Sequence, residues 1–204
     1  MKSYNSIPRA SINGDGNEYF TFDKIDGRLI RAAFSHKTGF YTFGSKNNLI
    51  NKDTPILGEA INIFMGSLSE PLSKIATDNK WINIIVFAEF WGENSFAGEH
   101  VQNDVKFTTL LDVAIYKKGI MGPKEFLQHF QYCQIPNFLG VRTWDANFIT
   151  EIRNDVIEGV SFEGVIGKSG SSHNLKMMKT KTNKWLNKVK DKYPIHIANS
   201  LINS

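Results

Sequence analysis

"FDKIDGRLIRAAF", residues 22–34, places a lysine, an aspartate and a glycine between two apolar runs. EYFTFDK at 18–24 and RLIRAAF at 28–34 are rich in aromatic and branched residues, which predicts two strands. Two interpretations of the interruption stay open: Asp26-Gly27 is a common hairpin turn, or Lys24 is a nucleophile held at a strand end. The lysine alone does not decide between them.

Composition indicates a globular chain with a real core. The 204 residues are 41% hydrophobic and 22% charged, which predicts one domain over residues 1–204. Cys133 is the only cysteine, so an internal disulfide and a CxxC zinc site are excluded and a reducing compartment is favoured. The five histidines lack the spacing of zinc ligands. With no signal-peptide pattern and no apolar run of membrane-spanning length, we expect a cytoplasmic protein, of the host cell if the chain is viral.

The remaining pattern predicts an α+β domain built on antiparallel sheets, because strands dominate both ends and helices are inserted between them. Further strands are predicted at 39–46, 81–92, 105–116, 161–168 and 175–181, the second of them central and buried. Helices are predicted from Thr54-Pro55 to an interruption at Pro71, and at 122–130, 145–157 and 183–192. Asp145 is the expected cap of the third of these helices.

Charged residues inside the predicted strands are the chemical anomaly. Glu89 and Glu163 lie in apolar strands, where a carboxylate is seldom buried without a partner. Strand alternation places Glu163 on one face and Lys168 on the other face or at the strand end, and it puts Lys179 and Lys181 on one face. Two lysines on one face repel each other unless an anion lies between them. Each residue also has a plain alternative as an exposed side chain.

Taken together, these residues describe phosphate chemistry. A lysine becomes a nucleophile when burial or nearby positive charge lowers its pKa, and neighbouring lysines act in that direction. The same lysines would bind phosphate oxygens, while the carboxylates would orient a ribose hydroxyl and hold Mg²⁺. The set predicts attack of Lys24 on the α-phosphate of a nucleotide, with a lysyl-nucleotide phosphoramidate as product.

An ordered series of short motifs resembles one known family. The series is KIDG at 24–27, FGSK at 43–46, FAEFWG at 87–92, LLDV at 110–113, EGVIGK at 163–168 and KMMKTK at 176–181. It is similar to the successive motifs of the covalent nucleotidyltransferases, which comprise ATP-dependent RNA and DNA ligases and capping enzymes. FWGENSFAGEH at 90–100 and KTKTNKWLNKVK at 179–190 look most similar to the phage-type branch, the enzymes like RNA ligase 2. The resemblance implies an ATP-grasp-like domain in which two antiparallel sheets, flanked by helices, form a nucleotide-binding cleft.

The resemblance also implies a role for each matched position. Lys24 would carry AMP, with Asp26 and Gly27 shaping the loop under the nucleotide. Glu163 would bind the catalytic metal, Mg²⁺ or Mn²⁺, and Glu89 would contact the ribose. The remaining matched positions would contact the nucleotide or the nucleic-acid end: Arg28 near the ribose, Lys46 at a phosphate where arginine is usual, Leu111 at the adenine where an aromatic residue is usual, Lys168 closing its motif, and Lys179 and Lys181 at the α-phosphate.

The implied activity is an ATP-dependent RNA ligase that repairs RNA through lysyl-AMP. AMP would pass to a 5′-phosphate and a 3′-hydroxyl would displace it, with a nicked duplex containing RNA as substrate. The lysine-rich stretch 168–192, with eight lysines against Asp191, favours such a polyanion. Alternatives are a DNA ligase, an adenylation-only domain, or an inactive nucleic-acid-binding module, and Leu111 leaves ATP against GTP open. Because little chain follows Lys192, we expect a stand-alone catalytic domain with no OB-fold, and a partner protein as one source of a second domain. We also expect a monomer.

Overall fold

The fold was analysed in a computed structural model that describes residues 1–93 and 101–203. Its strands are β1 (Gly14–Lys24), β2 (Gly27–Ser35), β3 (Gly39–Ser45), β4 (Leu49–Ile50), β5 (Asn83–Trp91), β6 (Phe107–Ile115), β7 (Gly119–Ile120), β8 (Phe138–Asp145), β9 (Gly164–Ser169) and β10 (Lys176–Lys181). Its helices are α1 (Leu57–Ser67), α2 (Ser69–Asp78), α3 (Pro123–Phe130), α4 (Ala146–Arg153), α5 (Asn183–Lys192) and α6 (Ile195–Asn203). His100 and most of the predicted motif at 90–100 lie outside the described residues.

The strands form two antiparallel sheets, which confirms the predicted α+β class. The four-stranded sheet has the order β10-β9-β1-β8, and the six-stranded sheet has the order β4-β3-β2-β5-β6-β7. β1 and β2 belong to different sheets, so the hairpin interpretation of Asp26-Gly27 is wrong. Residues 25–26 carry the chain from one sheet to the other, and Gly27 enters close to β5, where a Cβ would lie 2.5 Å from the Phe90 carbonyl oxygen. Lys24 therefore ends a strand where the two sheets meet.

One face of the six-stranded sheet packs against α1, α2 and α3. Ile30, Val86 and Phe90 from the sheet share a buried cluster with Phe64 and with further residues of these helices. β5 lies between β2 and β6, which confirms it as central and buried. The other face of this sheet looks towards the four-stranded sheet, and the space between the two sheets is called the cleft below.

Two predicted boundaries needed correction. The single helix expected from residue 54 to Pro71 is two helices that meet at Leu68, and Pro71 lies in the first turn of α2. Proline is tolerated there because a first-turn N–H has no intrahelical partner. The helix predicted over 145–157 ends at Arg153, and its cap is confirmed, since the Asp145 carboxylate accepts from the Phe148 amide at 2.9 Å.

Two longer elements, β8 and α6, were absent from the sequence prediction, as were the two-residue strands β4 and β7. β8 is an edge strand in which Trp144 is buried but Phe138 and Val141 are exposed. Its pattern of apolar residues does not separate inside from outside, so periodicity gives no signal. α6 packs through Ala198 and Ile202 onto the buried Trp185. Within the described residues, none of the helices combines the length and apolar character needed to cross a membrane.

Candidate active site in the cleft

The pairing register places three lysines on the cleft face of the four-stranded sheet. Lys24 pairs with Gly164, and Gly164 pairs in turn with Lys181. Directly paired residues of antiparallel strands project to the same face, and alternate residues share that face. Lys24, Lys181 and Lys179 therefore face the cleft together, and the last two are called the late lysine pair. The prediction that this pair shares one face is confirmed.

Glu163 reaches the same face by leaving the alternation of β9. It precedes the strand, and Gly164 has a φ of +149°, a conformation that residues with side chains rarely adopt. A Cβ at this glycine would also lie 2.1 Å from the Thr180 carbonyl oxygen. The expectation that Glu163 and Lys168 lie on opposite faces is wrong for this reason. The glycine turns the Glu163 carboxylate into the cleft.

The Glu163 carboxylate joins two of the lysines. Its Oε2 lies 2.7 Å from Lys24 Nζ, and its Oε1 lies 3.1 Å from Lys181 Nζ. Glu163 and Lys181 are buried, whereas the Lys24 side chain is 18% exposed. The nucleophile predicted from sequence thus faces a partly open cleft and contacts a predicted catalytic carboxylate.

Glu89 and Asp26 approach this cluster from the six-stranded sheet and the chain that joins the sheets. Burial raises the pKa of Glu89, Lys24 opposes this shift, and the negative charges of Glu163 and Asp26 add to it, so that the pKa is about 8. Asp26 is buried. Near neutral pH, Glu89 is therefore largely a neutral carboxyl group that can donate a hydrogen bond.

The pKa shifts of the lysines differ from the sequence expectation. Burial lowers the pKa of Lys24, but Glu163, Glu89 and Asp26 outweigh burial, so the net shift is upward. Burial and the charge of Lys24 lower the pKa of Lys179 to about 8. Burial also lowers the pKa of Lys181 to about 8, against the charge of Glu163. Glu163 and its acidic neighbours therefore favour the protonated form of Lys24, and the low pKa values belong to the late lysine pair.

Lys168 lies on the same sheet face but belongs to a different contact. Its Nζ lies 2.8 Å from Asp112 Oδ1 and donates to the Leu111 carbonyl at 2.8 Å. It also lies over the rings of Phe22 and Phe126 at 5.2 and 5.5 Å. Because Asp112 is on β6, this ion pair bridges the two sheets across the cleft.

Tyr4 completes this bridge and was missed by sequence reasoning. Its hydroxyl donates to Asp112 Oδ2, and its ring lies 4.7 Å from that of Phe87, centroid to centroid. Burial raises the pKa of Tyr4 well above its usual value, and Asp112 raises it further. Asp112 had a signal in the sequence, as a carboxylate inside an apolar strand, but Tyr4 had none because no regular element surrounds it.

The other predicted contacts lie around the cluster. Leu111 sits at a register shift of β6 and packs beside Phe87 on the cleft side. Arg28 pairs with Phe90, so its position in β2 belongs to the face of the sheet that the helices cover. Leu29 pairs with Glu89, so its position belongs to the cleft face. Lys46 is exposed, directly after β3.

The donor set near Lys24 is compatible with a divalent cation held partly by substrate. In the ranges 1–93 and 101–203, no three His, Cys, Asp or Glu side chains are grouped to hold a metal ion. Mg²⁺ commonly takes one or two carboxylates and completes its shell with phosphate oxygens and water. Glu163 supplies such a carboxylate, and its negative charge reaches Glu89.

Comparison with known proteins identifies the class of fold. No protein-family model and no curated protein sequence matches the chain. Solved structures do match: the chain has the fold of the nucleotidyltransferase domain of RNA ligases. An RNA ligase variant of Naegleria gruberi with ATP and Mn superposes with a TM-score of 0.64 at 13% identity, covering 87% of this chain and 52% of that one.

Two further structures of the Naegleria gruberi RNA ligase give the same result. The enzyme with PPi has a TM-score of 0.62 at 13% identity, over 87% of this chain and 53% of that one. A variant with AMP and Mn has a TM-score of 0.61 at 11% identity, over 94% and 59%. The present chain thus spans a little over half the length of these structures, and at such identity the likeness is one of fold.

The lysine-rich stretch 168–192 separates into two sets. Lys168, Lys179 and Lys181 are buried in the cleft. The exposed lysines are Lys176, Lys184, Lys188, Lys190 and Lys192, most of them on α5. These five remain at the surface as positive charge.

Proposed function

We propose that the chain is an ATP-dependent RNA ligase that works through lysyl-AMP. The observation that carries the proposal is the position of Lys24, whose Nζ contacts Glu163 beside the late lysine pair in a cleft of the RNA ligase fold. Desolvating each of these buried charged side chains costs roughly several kcal/mol. Such clusters occur mainly where a function needs them.

The first step would be nucleotidyl transfer to Lys24. The ammonium loses one proton, for which Glu163 at 2.7 Å is the adjacent acceptor. The nitrogen then bonds to the α-phosphorus as the bond from phosphorus to the bridging oxygen breaks. Pyrophosphate leaves with that electron pair, and the nitrogen loses a second proton to give the phosphoramidate. The late lysine pair would hold the α-phosphate oxygens, where cations stabilise developing charge.

A divalent cation, Mg²⁺ or Mn²⁺, which Glu163 would help to hold, would neutralise phosphate charge. Glu89 in its neutral form would donate to a ribose hydroxyl, and Leu111 with Phe87 offers an apolar surface for the base. Each of these roles uses a chemical group that the named side chain itself carries.

The second and third steps would act on nucleic acid with a 5′-phosphate and a 3′-hydroxyl. The five exposed lysines of 168–192 would bind the backbone, with an affinity that falls as salt rises. A nicked duplex containing RNA is the proposed substrate, a monomer the proposed state and the cytoplasm the proposed location. A DNA ligase is the second candidate, because the same lysine contacts would bind the phosphates of a DNA backbone.

The test is incubation with α-³²P-ATP and Mg²⁺ followed by denaturing electrophoresis. We expect a labelled band that disappears in Lys24→Ala and persists in Lys37→Ala, a change at an exposed lysine in the turn after β2. No label in the wild-type protein would overturn the proposal and leave a binding module. Labelled protein mixed with nicked RNA, nicked DNA and hybrid duplexes then separates RNA ligase, DNA ligase and adenylation-only activity, and GTP in place of ATP tests the nucleotide.

A further inference from the structure

Arg9 lies beside the late lysine pair through a short extension of the four-stranded sheet. The Ala10 amide donates to the Lys179 carbonyl and the Lys179 amide donates to the Pro8 carbonyl, both at 2.9 Å. Arg9 and Lys179 therefore form a parallel bridge. Neighbouring residues of paired strands project to the same face, so Arg9 lies on the cleft face at the edge beyond β10.

The side chains of Arg9 and Lys181 converge on one place. Arg9 Nη2 donates to the Ile202 carbonyl, and Lys181 Nζ donates to the Leu201 carbonyl at 3.2 Å. These two carbonyls are neighbours at the end of α6, where a helix carries partial negative charge. The charge of Arg9 also contributes to the lowered pKa of Lys179 and Lys181. Arg9 and Lys181 thus both donate to carbonyl oxygens that carry partial negative charge.

The order of the strands shows where Arg9 lies relative to Lys24. Lys24 is on β1, the late lysine pair is on β10 two strands away, and Arg9 is one strand further. At a strand spacing of about 4.8 Å, the backbone of Arg9 is roughly 14 Å from that of β1. In an in-line displacement the leaving group departs on the side opposite the nucleophile. With the α-phosphate between Lys24 and the late lysine pair, that side is the side of Arg9.

We propose that Arg9 binds the pyrophosphate that leaves the nucleotide when Lys24 is adenylylated. The assignment rests on the proposed function and adds a residue to it. Pyrophosphate takes the electron pair of the broken phosphorus–oxygen bond, and the guanidinium of Arg9 neutralises part of the resulting charge. A guanidinium has five N–H donors in a fork that matches phosphate oxygens, and one carbonyl uses only part of this capacity. Pyrophosphate would replace the Ile202 carbonyl as the acceptor.

The test separates the steps that involve pyrophosphate from the step that does not. Arg9→Gln and Arg9→Lys are compared with Arg142→Gln, a control at an exposed arginine that pairs with Tyr19 on the opposite face of the same sheet. For each protein, lysyl-AMP formation is measured against ATP concentration, release of AMP from adenylylated protein against pyrophosphate concentration, and sealing on a nicked duplex carrying a pre-adenylylated 5′ end.

Arg9→Gln is expected to lower the efficiency of the first two reactions about tenfold to a hundredfold, the range for losing a charge-assisted hydrogen bond. Sealing of the pre-adenylylated nick should stay at the wild-type rate, and Arg9→Lys should recover part of the loss. Equal losses in all three reactions, or no loss in any, would overturn the role of Arg9. Wild-type protein that forms no lysyl adduct would instead overturn the proposed function.

Discussion

Two groups of lysine–carboxylate contacts lie in the cleft and differ in how many lysines meet one carboxylate. At one end, Lys24 and Lys181 share the single carboxylate of Glu163, with Lys179 beside them. In the middle, Lys168 and Asp112 are matched one to one, and the remaining capacity is taken by Tyr4 and the Leu111 carbonyl. Several lysines grouped at the open end of the cleft suit a site that binds an anion, whereas a one-to-one pair in its middle suits a link between two sheets.

The largest expected effect tests the balanced pair. Asp112→Ala should lower the free energy of unfolding by about 3–5 kcal/mol, because it leaves the Lys168 ammonium buried without its counter-charge. The double variant Asp112→Leu, Lys168→Met should recover most of that loss. Urea unfolding of the single and double variants measures both changes.

A matched control for this prediction is the exposed pair Lys74–Asp78 on α2, whose atoms are 2.9 Å apart. Asp78→Ala should change stability by only about 0.5 kcal/mol or less, since an exposed pair at this spacing contributes little. A similar cost at Asp112 and Asp78 would show that the bridge does not join the sheets.

The second prediction concerns Lys181, one member of the late lysine pair. Lys181→Met should slow lysyl-AMP formation about a hundredfold, the scale of removing one charged contact to a transition state. Its melting temperature should stay the same or rise, because a buried lysine with a lowered pKa is destabilising when protonated. Lys37→Met, in an exposed turn, is the control for both measurements. A large loss of stability in Lys181→Met would mean that the cluster is structural like the middle pair.

The third prediction is a pH profile that distinguishes the lysines at the Lys24 end. The pKa of Lys24 is raised, so its neutral fraction, and with it the efficiency of adenylylation, should rise about tenfold per pH unit in the acidic range. Above a pH of about 8 the late lysine pair loses charge, so the rise should level off near that value.

The variant Glu89→Gln sharpens this profile, because Glu89 also has a pKa of about 8. The levelling should persist without that carboxyl group if the late lysine pair causes it. Initial rates of lysyl-AMP formation between pH 6 and 9 decide the matter, and a flat profile over this range would contradict the assignment of Lys24.

The smallest expected effect is at Tyr4. Tyr4→Phe keeps the ring on Phe87 but removes the hydroxyl that donates to Asp112. Stability should fall by about 1–2 kcal/mol, the usual cost of one hydrogen bond to a buried charged group. Adenylylation by the folded variant should stay within about twofold of wild type, and a larger loss would place Tyr4 in the site. Thermal unfolding and the labelling assay give the two values.

Much of the candidate site was visible in the sequence. Lys24, Glu163, Lys179 and Lys181 were chosen as polar residues in apolar strands, and the structure brings them together. The pattern of strands and helices was also sufficient to predict antiparallel sheets, and the family resemblance implied that there are two. Those inferences succeed because alternation and charge burial are local properties of the chain.

Other features required the folded chain. The crossing of β1 and β2 into different sheets looks like a hairpin in sequence, and Gly164 overrides the alternation that misplaced Glu163. The upward pKa shift of Lys24 depends on how many carboxylates surround it, which spacing along the chain does not reveal. Arg9 and Tyr4 lie in an irregular segment without any periodic signal.

The sequence by itself determined the kinds of side chain available and the strands that carry them, because hydrophobic period and residue chemistry act over a few neighbours. Only the tertiary structure decided which lysine shares a carboxylate with another and which is matched alone. That choice depends on contacts between residues more than a hundred positions apart in the chain, such as Lys24 with Glu163, and on the burial that those contacts create.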